Sequence, residues 1–162
     1  MRKSVVLYLV AALMIVGIAM TSRSARAADD PMSGTWKVNL GKSKFDPGPA
    51  PKSLTATIKV ENDTETFVSE GVDAEGNATH AMFTAKFGGP DAPVTGIPYA
   101  DMVSLKRVRP NHIVATMKKG GKVTMTVHVV VAEDGKSRRL TYEGKNEKGK
   151  AVHDEVVYDR VS

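Results

Sequence analysis

Past Pro31, apolar and polar residues alternate with a period of two, and the alternation breaks at glycine, proline, asparagine and aspartate. The pattern predicts strands near residues 33–40, 53–60, 65–72, 77–87, 102–108, 112–119, 122–132, 137–145 and 150–161. No segment keeps a helical period for three turns. The two longest links, 41–52 and 88–101, are rich in Gly and Pro and are expected to cross the ends of the structure. The expected fold is all-β, an up-and-down antiparallel β-barrel of about eight to ten strands.

Turn chemistry sets the expected register. Gly120-Gly121 suits a two-residue hairpin with positive φ at both centres. That pairing puts Val114 and Thr116 on one face with Val123, Met125, Val127, Val129 and Val131, and leaves Ile113, Ala115 and Met117 facing out. Asp134-Gly135 adds Arg138, Leu140 and Tyr142 to the inner face. A loop at 146–149 with Gly149 left-handed pairs Asn146 with Lys150, which sets Leu140 opposite Val156, Tyr142 opposite Asp154 and Arg138 opposite Tyr158. The three turns agree on one inward face.

An internal repeat points the same way. Residues 71–80 match 144–153 at both glycines, the alanine and the histidine, with an offset of 73. The apolar positions follow, Leu54, Ala56 and Ile58 against Val127, Val129 and Val131, then Phe67 against Leu140 and Phe83 against Val156. Either a three-stranded unit occurs twice, or one loop type demands the same glycine twice.

The start of the chain changes the picture of its charge. Arg2 and Lys3 precede a charge-free apolar run from Val5 to Met20, and Ala25-Arg26-Ala27 offers small residues for cleavage. Residues 1–27 therefore read as a signal peptide, with an exported, periplasmic or secreted single domain at 28–162. The formal charge of the whole chain is +5, but four of its 23 Lys and Arg lie in the leader, so the remainder is almost neutral against 18 Asp and Glu. The charge gives no reason to expect nucleic acid as a partner. Without cysteine, the domain must be held together by burial.

Candidate chemistry is sparse. His80, His153 and His128 point away from the apolar face, so they are not expected to converge on a metal. There is no G-x-S-x-G, H-E-x-x-H or phosphate-binding glycine loop, and neither an enzyme nor a cofactor is expected. The segment 102–122 carries Lys106, Arg107, Arg109, Lys118, Lys119 and Lys122 and no acidic residue. These read as strand-end gatekeepers or as a weak patch for an anionic surface through Lys106, Lys118, Lys119 and Lys122. The inward polar set carries more. Arg138, Tyr142, Asp154, Tyr158, Thr116 and Ser69 share the face of the valines, joined by Arg107 if Val103 and Leu105 point inward. Unpaired polar groups are costly in a solid core, so these either pair with one another or line a cavity.

Gly34-Thr35-Trp36 resembles the G-x-W opening of lipocalins, and Gly-Thr-Trp-Lys-Val is similar to the first strand of intracellular fatty-acid-binding proteins. The G-T-W-K, K-S-K-F and P-G-P-A-P runs resemble small exported bacterial proteins described as lipocalin-like, members of the calycin class of barrels. The likeness implies that Trp36 closes one barrel end and that Arg160 packs across it. It has departures: 41–52 is too short and proline-rich for a helical lid, an Arg-x-Tyr is reversed as Tyr158-Asp159-Arg160, and no T-D-Y signature occurs.

Two functions follow as expectations. A hollow barrel would bind a small apolar or amphipathic ligand without catalysis. Arg107 or Arg138 would meet an anionic head group, Tyr142, Asp154, Tyr158 and Thr116 would offer hydrogen bonds, and Phe67, Phe83, Val127, Val129 and Leu140 would form the apolar wall. A solid barrel would act through its outer surface, using the basic residues and the apolar strip of Ile113, Ala115 and Met117.

Overall fold

The computed structural model describes residues 30–162, so the leader expected at 1–27 lies outside the described residues. Ten strands form one closed antiparallel barrel: β1 (Gly34–Val38), β2 (Ser53–Glu61), β3 (Thr64–Val72), β4 (Ala78–Lys86), β5 (Ala92–Thr95), β6 (Met102–Arg109), β7 (His112–Lys119), β8 (Lys122–Val131), β9 (Ser137–Lys145) and β10 (Ala151–Arg160). Each strand pairs with its neighbours in sequence, and β1 closes the ring by pairing with β10. A single 3-10 turn, Leu40–Lys42, follows β1.

The inner face carries the core, in which Trp36, Val103 and Val131 have no exposed surface. The outer wall is mostly polar, with Met82, Val108 and Val123 as scattered apolar exceptions. Thr57, Lys59, Glu70, His80, Thr84 and Lys86 are exposed on β2, β3 and β4, the reverse of the apolar band that a lipid-facing barrel wall requires.

The turns behave as their residues demand. Gly120 and Gly121 both have positive φ, 56° and 77°, and Gly149 is left-handed at φ 73° with its N–H donating to the Asn146 carbonyl. On β9 and β10 the expected partners are all found: Leu140 with Val156, Tyr142 with Asp154, Arg138 with Tyr158.

The β7–β8 hairpin departs from the expected register. Lys118 pairs with Val123, but Met117 pairs with Met125, so Thr124 is an extra residue. Such a bulge shifts the facing of one strand against the other. Ile113, Ala115 and Met117 are therefore buried inside at 3%, 5% and 7% exposure, while Val114 and Thr116 lie on the outer wall and Val123 is 59% exposed. The apolar outer strip expected at Ile113, Ala115 and Met117 does not exist. The polarity of the turn gave no sign of the bulge, because Val123 itself looks like a core residue.

A second difference concerns 88–101, which was expected to be a plain link. It contains β5, which completes the wall between β4 and β6. The repeat also needs one adjustment. The β3–β4 and β9–β10 hairpins do superpose at an offset of 73, as Phe67–Phe83 and Leu140–Val156 both show. The preceding strands do not follow it, since Gly71 pairs with Leu54 whereas Gly144 pairs with Met125, an offset of 71.

The revised register has a direct test. Ile113→Ala should cost about 2–4 kcal/mol of stability through the cavity it leaves, and Thr116→Ala should stay within about 0.5 kcal/mol, both read from urea unfolding. Equal effects, or the opposite ranking, would return Thr116 to the interior.

Candidate functional site

One end of the barrel is sealed from the residues upward. Trp36 on β1 donates its indole N–H to the Met32 carbonyl at 3.2 Å, which draws the segment before β1 across the opening. The Arg160 guanidinium lies 4.1 Å from the centre of the Trp36 ring and donates to the carbonyls of Gly135, Ser33 and Pro31 at 2.6, 2.5 and 2.9 Å. The arginine-over-tryptophan contact that the resemblance implied is thus present, and it ties the segment before β1 to the β8–β9 turn.

Beyond this plug the lumen is open. An inner cavity of about 80 Å³ is bounded by Glu65, Phe67, Phe83, Val127, Val129, Arg138, Leu140 and Tyr142. A second, of about 210 Å³, shares Phe67, Arg138, Leu140 and Tyr142 with it and opens beneath residues 96–99. A third, of about 280 Å³, lies at the far mouth between the proline-rich 45–49 loop and Tyr142, Asp154, Val156 and Tyr158. Tyr142 and Tyr99 border all three. Each is large enough to admit water or a small organic group.

The apolar wall is the expected one, with Phe67 and Phe83 stacked at 4.8 Å and an angle of 12°. Arg138 is 4% exposed, with its guanidinium 5.1 Å from the Trp36 ring centre and 4.7 Å from that of Tyr158. Its Nε has no hydrogen-bond partner among the described residues. Burial pulls the Arg138 pKa below its ordinary value, while Tyr158, Tyr142 and Glu65 oppose the shift. The phenols of Tyr142 and Tyr158 are raised, first by desolvation.

The other expected site residues are placed differently. Arg107 reaches the sealed end, where it pairs with Asp30 at 2.8 Å, donates to the Pro110 carbonyl at 2.8 Å and lies over Phe87 at 4.1 Å. Its charge is thereby matched, and it borders none of the three cavities. Asp154 stands at the mouth and accepts from the Asp46 backbone N–H at 2.7 Å. Thr116 is on the outer wall, for the register reason given above. Lys118 pairs with Asp91 at 2.7 Å, and Lys119 donates to the Pro98 carbonyl, while Lys106 and Lys122 remain exposed.

Two further site residues were not among those expected. Glu65 is only 4% exposed inside the barrel, and its place was legible as the position two before Phe67 on the same face. Tyr99 was not legible. It enters the lumen from a loop without periodicity, after Gly96, where an added Cβ would collide with the His80 carbonyl. Desolvation raises the Tyr99 phenol to about 12. Burial likewise raises the Glu65 carboxyl to about 7, against the lowering influence of Arg138 and Arg107.

On the outer wall His112 and His128 lie with ring centres 5.7 Å apart, and among the described residues no group of three or more metal-ligating side chains converges. No family model matches the chain, and no curated protein is significantly similar to it. What the geometry supports is a closed ten-stranded antiparallel barrel, consistent with a calycin-like fold.

Glu65 gives stability a specific pH dependence. Its folded pKa, about 7, lies above the unfolded value, so its contribution is full below pH 4.5 and is lost as pH rises through 7. The loss is of order 3 kcal/mol. His112, whose pKa is lowered by burial, runs the other way over part of this window. The difference between wild type and Glu65→Gln isolates the carboxyl: unfolding midpoints measured from about pH 5 to 8 should fall more steeply in wild type than in the variant. Parallel curves would place Glu65 in contact with solvent.

Proposed function

We propose that this chain is an exported, non-enzymatic binding protein of lipocalin-like type that holds a small apolar or amphipathic ligand in its barrel lumen. One observation carries the reading: three adjoining cavities meet at Tyr142, walled by aromatic and aliphatic side chains, and two of them are bordered by a buried Arg138 whose Nε lacks an acceptor. Concave, mostly apolar space with a few convergent polar groups is the general form of a small-ligand site. The phenols of Tyr142 and Tyr158 and the Asp154 carboxylate supply hydrogen-bonding groups from the centre of the lumen to its mouth.

A barrel acting through its outside has less support. Its apolar strip is turned inward, and two of its four lysines are engaged with Asp91 and Pro98.

Native mass spectrometry of the protein purified gently from its exported fraction tests the proposal. The expected result is an adduct released on denaturation, with saturable uptake by the stripped protein of an amphipathic fluorophore carrying a hydrogen-bonding head group. Tyr142→Phe should weaken that uptake about 5- to 10-fold by removing one hydrogen bond, with the unfolding transition preserved. A bare mass together with non-saturable fluorophore binding would overturn the reading.

A further inference from the structure

The inner end of the lumen contains an unbalanced pair of charged side chains. Arg107 is matched by Asp30. Arg138 and Glu65, each 4% exposed, border the same inner cavity, yet they form no ion pair with one another, and the Arg138 Nε lacks a partner among the described residues. Stacking against Trp36 and Tyr158 satisfies the face of the guanidinium but not the donors in its plane. A buried cation in this state requires an acceptor.

We propose that the space bordered by Arg138 and Glu65 is a carboxylate subsite, in which Arg138 donates to the ligand carboxylate and Glu65, holding a proton, donates a second hydrogen bond to it. This deepens the reading of the lumen as a binding site and rests on it. One unmatched positive charge calls for a monoanion, and a planar carboxylate fits the guanidinium fork.

Glu65 on β3 shares the inner cavity with Arg138 from β9 and with the phenols of Tyr99 and Tyr142, while Arg107 from β6 and Asp30 from the segment before β1 act on its charge from outside that cavity. An ionised Glu65 sets a second anion beside the ligand, which repels it. A protonated Glu65 removes the repulsion and becomes a donor. Burial favours that form up to near neutral pH. Above neutrality each bound carboxylate therefore carries one proton in with it. The 210 Å³ cavity, which also touches Arg138 and opens beneath residues 96–99, accommodates the apolar remainder.

Octanoate and its neutral counterpart 1-octanol are the probes, measured by isothermal titration calorimetry on the purified protein in two buffers of different ionisation enthalpy. Octanoate stays ionised throughout the range, so a pH effect belongs to the protein. Octanoate should bind at least about tenfold more tightly near pH 6 than near pH 8.5, with uptake of close to one proton at the higher pH. Glu65→Gln, whose amide cannot titrate, should lose both the pH dependence and the proton uptake. Arg138→Gln should weaken octanoate by roughly 100-fold and spare octanol. Should that variant fail to fold, Glu65→Gln and the proton count decide the matter alone. Octanol binding without octanoate binding, or octanoate affinity independent of pH, overturns the subsite and leaves the lumen reading standing. Failure of both probes to bind overturns the two together.

Discussion

Ring closure depends on the short strand β1 and on what holds it. Only five residues long, it must pair with β10 on one side and β2 on the other. A strand of that length is marginal by itself. Trp36 anchors it from within, fully buried, and Arg160 anchors it from the end, spanning three backbone carbonyls that belong to the segment before β1 and to the β8–β9 turn. Planar donors in a fixed fork can satisfy three acceptors at once while the same group stacks on an indole; a lysine ammonium offers no such plane. Gly34 fits this arrangement, because a Cβ there would meet the Arg160 guanidinium.

Sealing one end determines the electrostatics of the interior. Side chains near the sealed end are mostly withdrawn from solvent, which favours charges that find a protein partner or change their protonation. Arg107 and Asp30 take the first course. Glu65 takes the second, with its carboxyl raised to about 7 although two arginines oppose the shift. Desolvation outweighs attraction because neither guanidinium reaches the carboxylate as an ion pair. Arg138 takes a third course and leans on aromatic faces. The lumen thus runs from a charged inner end through a ring of phenols to a mouth framed by Phe45, Pro47 and Pro49.

Most of the fold was legible in the sequence, and its legible parts share a cause. Asp134-Gly135 and Gly149 constrain backbone geometry locally, so β8, β9 and β10 could be registered against one another residue by residue. What failed was also local but silent. The extra residue Thr124 has no signature, since Val123 and Met125 are equally apolar, and only the position of β8 in the closed ring decides which of them turns inward. Thr116 was lost from the site and Ile113, Ala115 and Met117 were gained by the core for that one reason. β5 was hidden by Pro93 and by its brevity, and a proline within four residues argues against a strand. Within the site, the walls were legible from alternation, whereas Tyr99 depends on a loop path that alternation cannot describe.

That loop path ties access to the thinnest part of the wall. β5 meets β4 only through Met82–Thr95 and Phe83–Val94, and meets β6 only through Ala92–Val103 and Pro93–Met102. Sheet segments with few ladder hydrogen bonds open at lower free energy than the strands around them. The residues immediately after β5 carry Ile97 and Tyr99 into the lumen, and the 210 Å³ cavity lies beneath them. Gly96 permits the close approach to His80 that holds this loop down. The weakest seam of the barrel and the side chains that occupy its interior therefore belong to one continuous segment. Ile97 and Tyr99 follow β5 without a break, so the side chains that share cavities with Tyr142 and Arg138 are carried by the most thinly paired strand of the wall, on a different segment from the Trp36 and Arg160 closure.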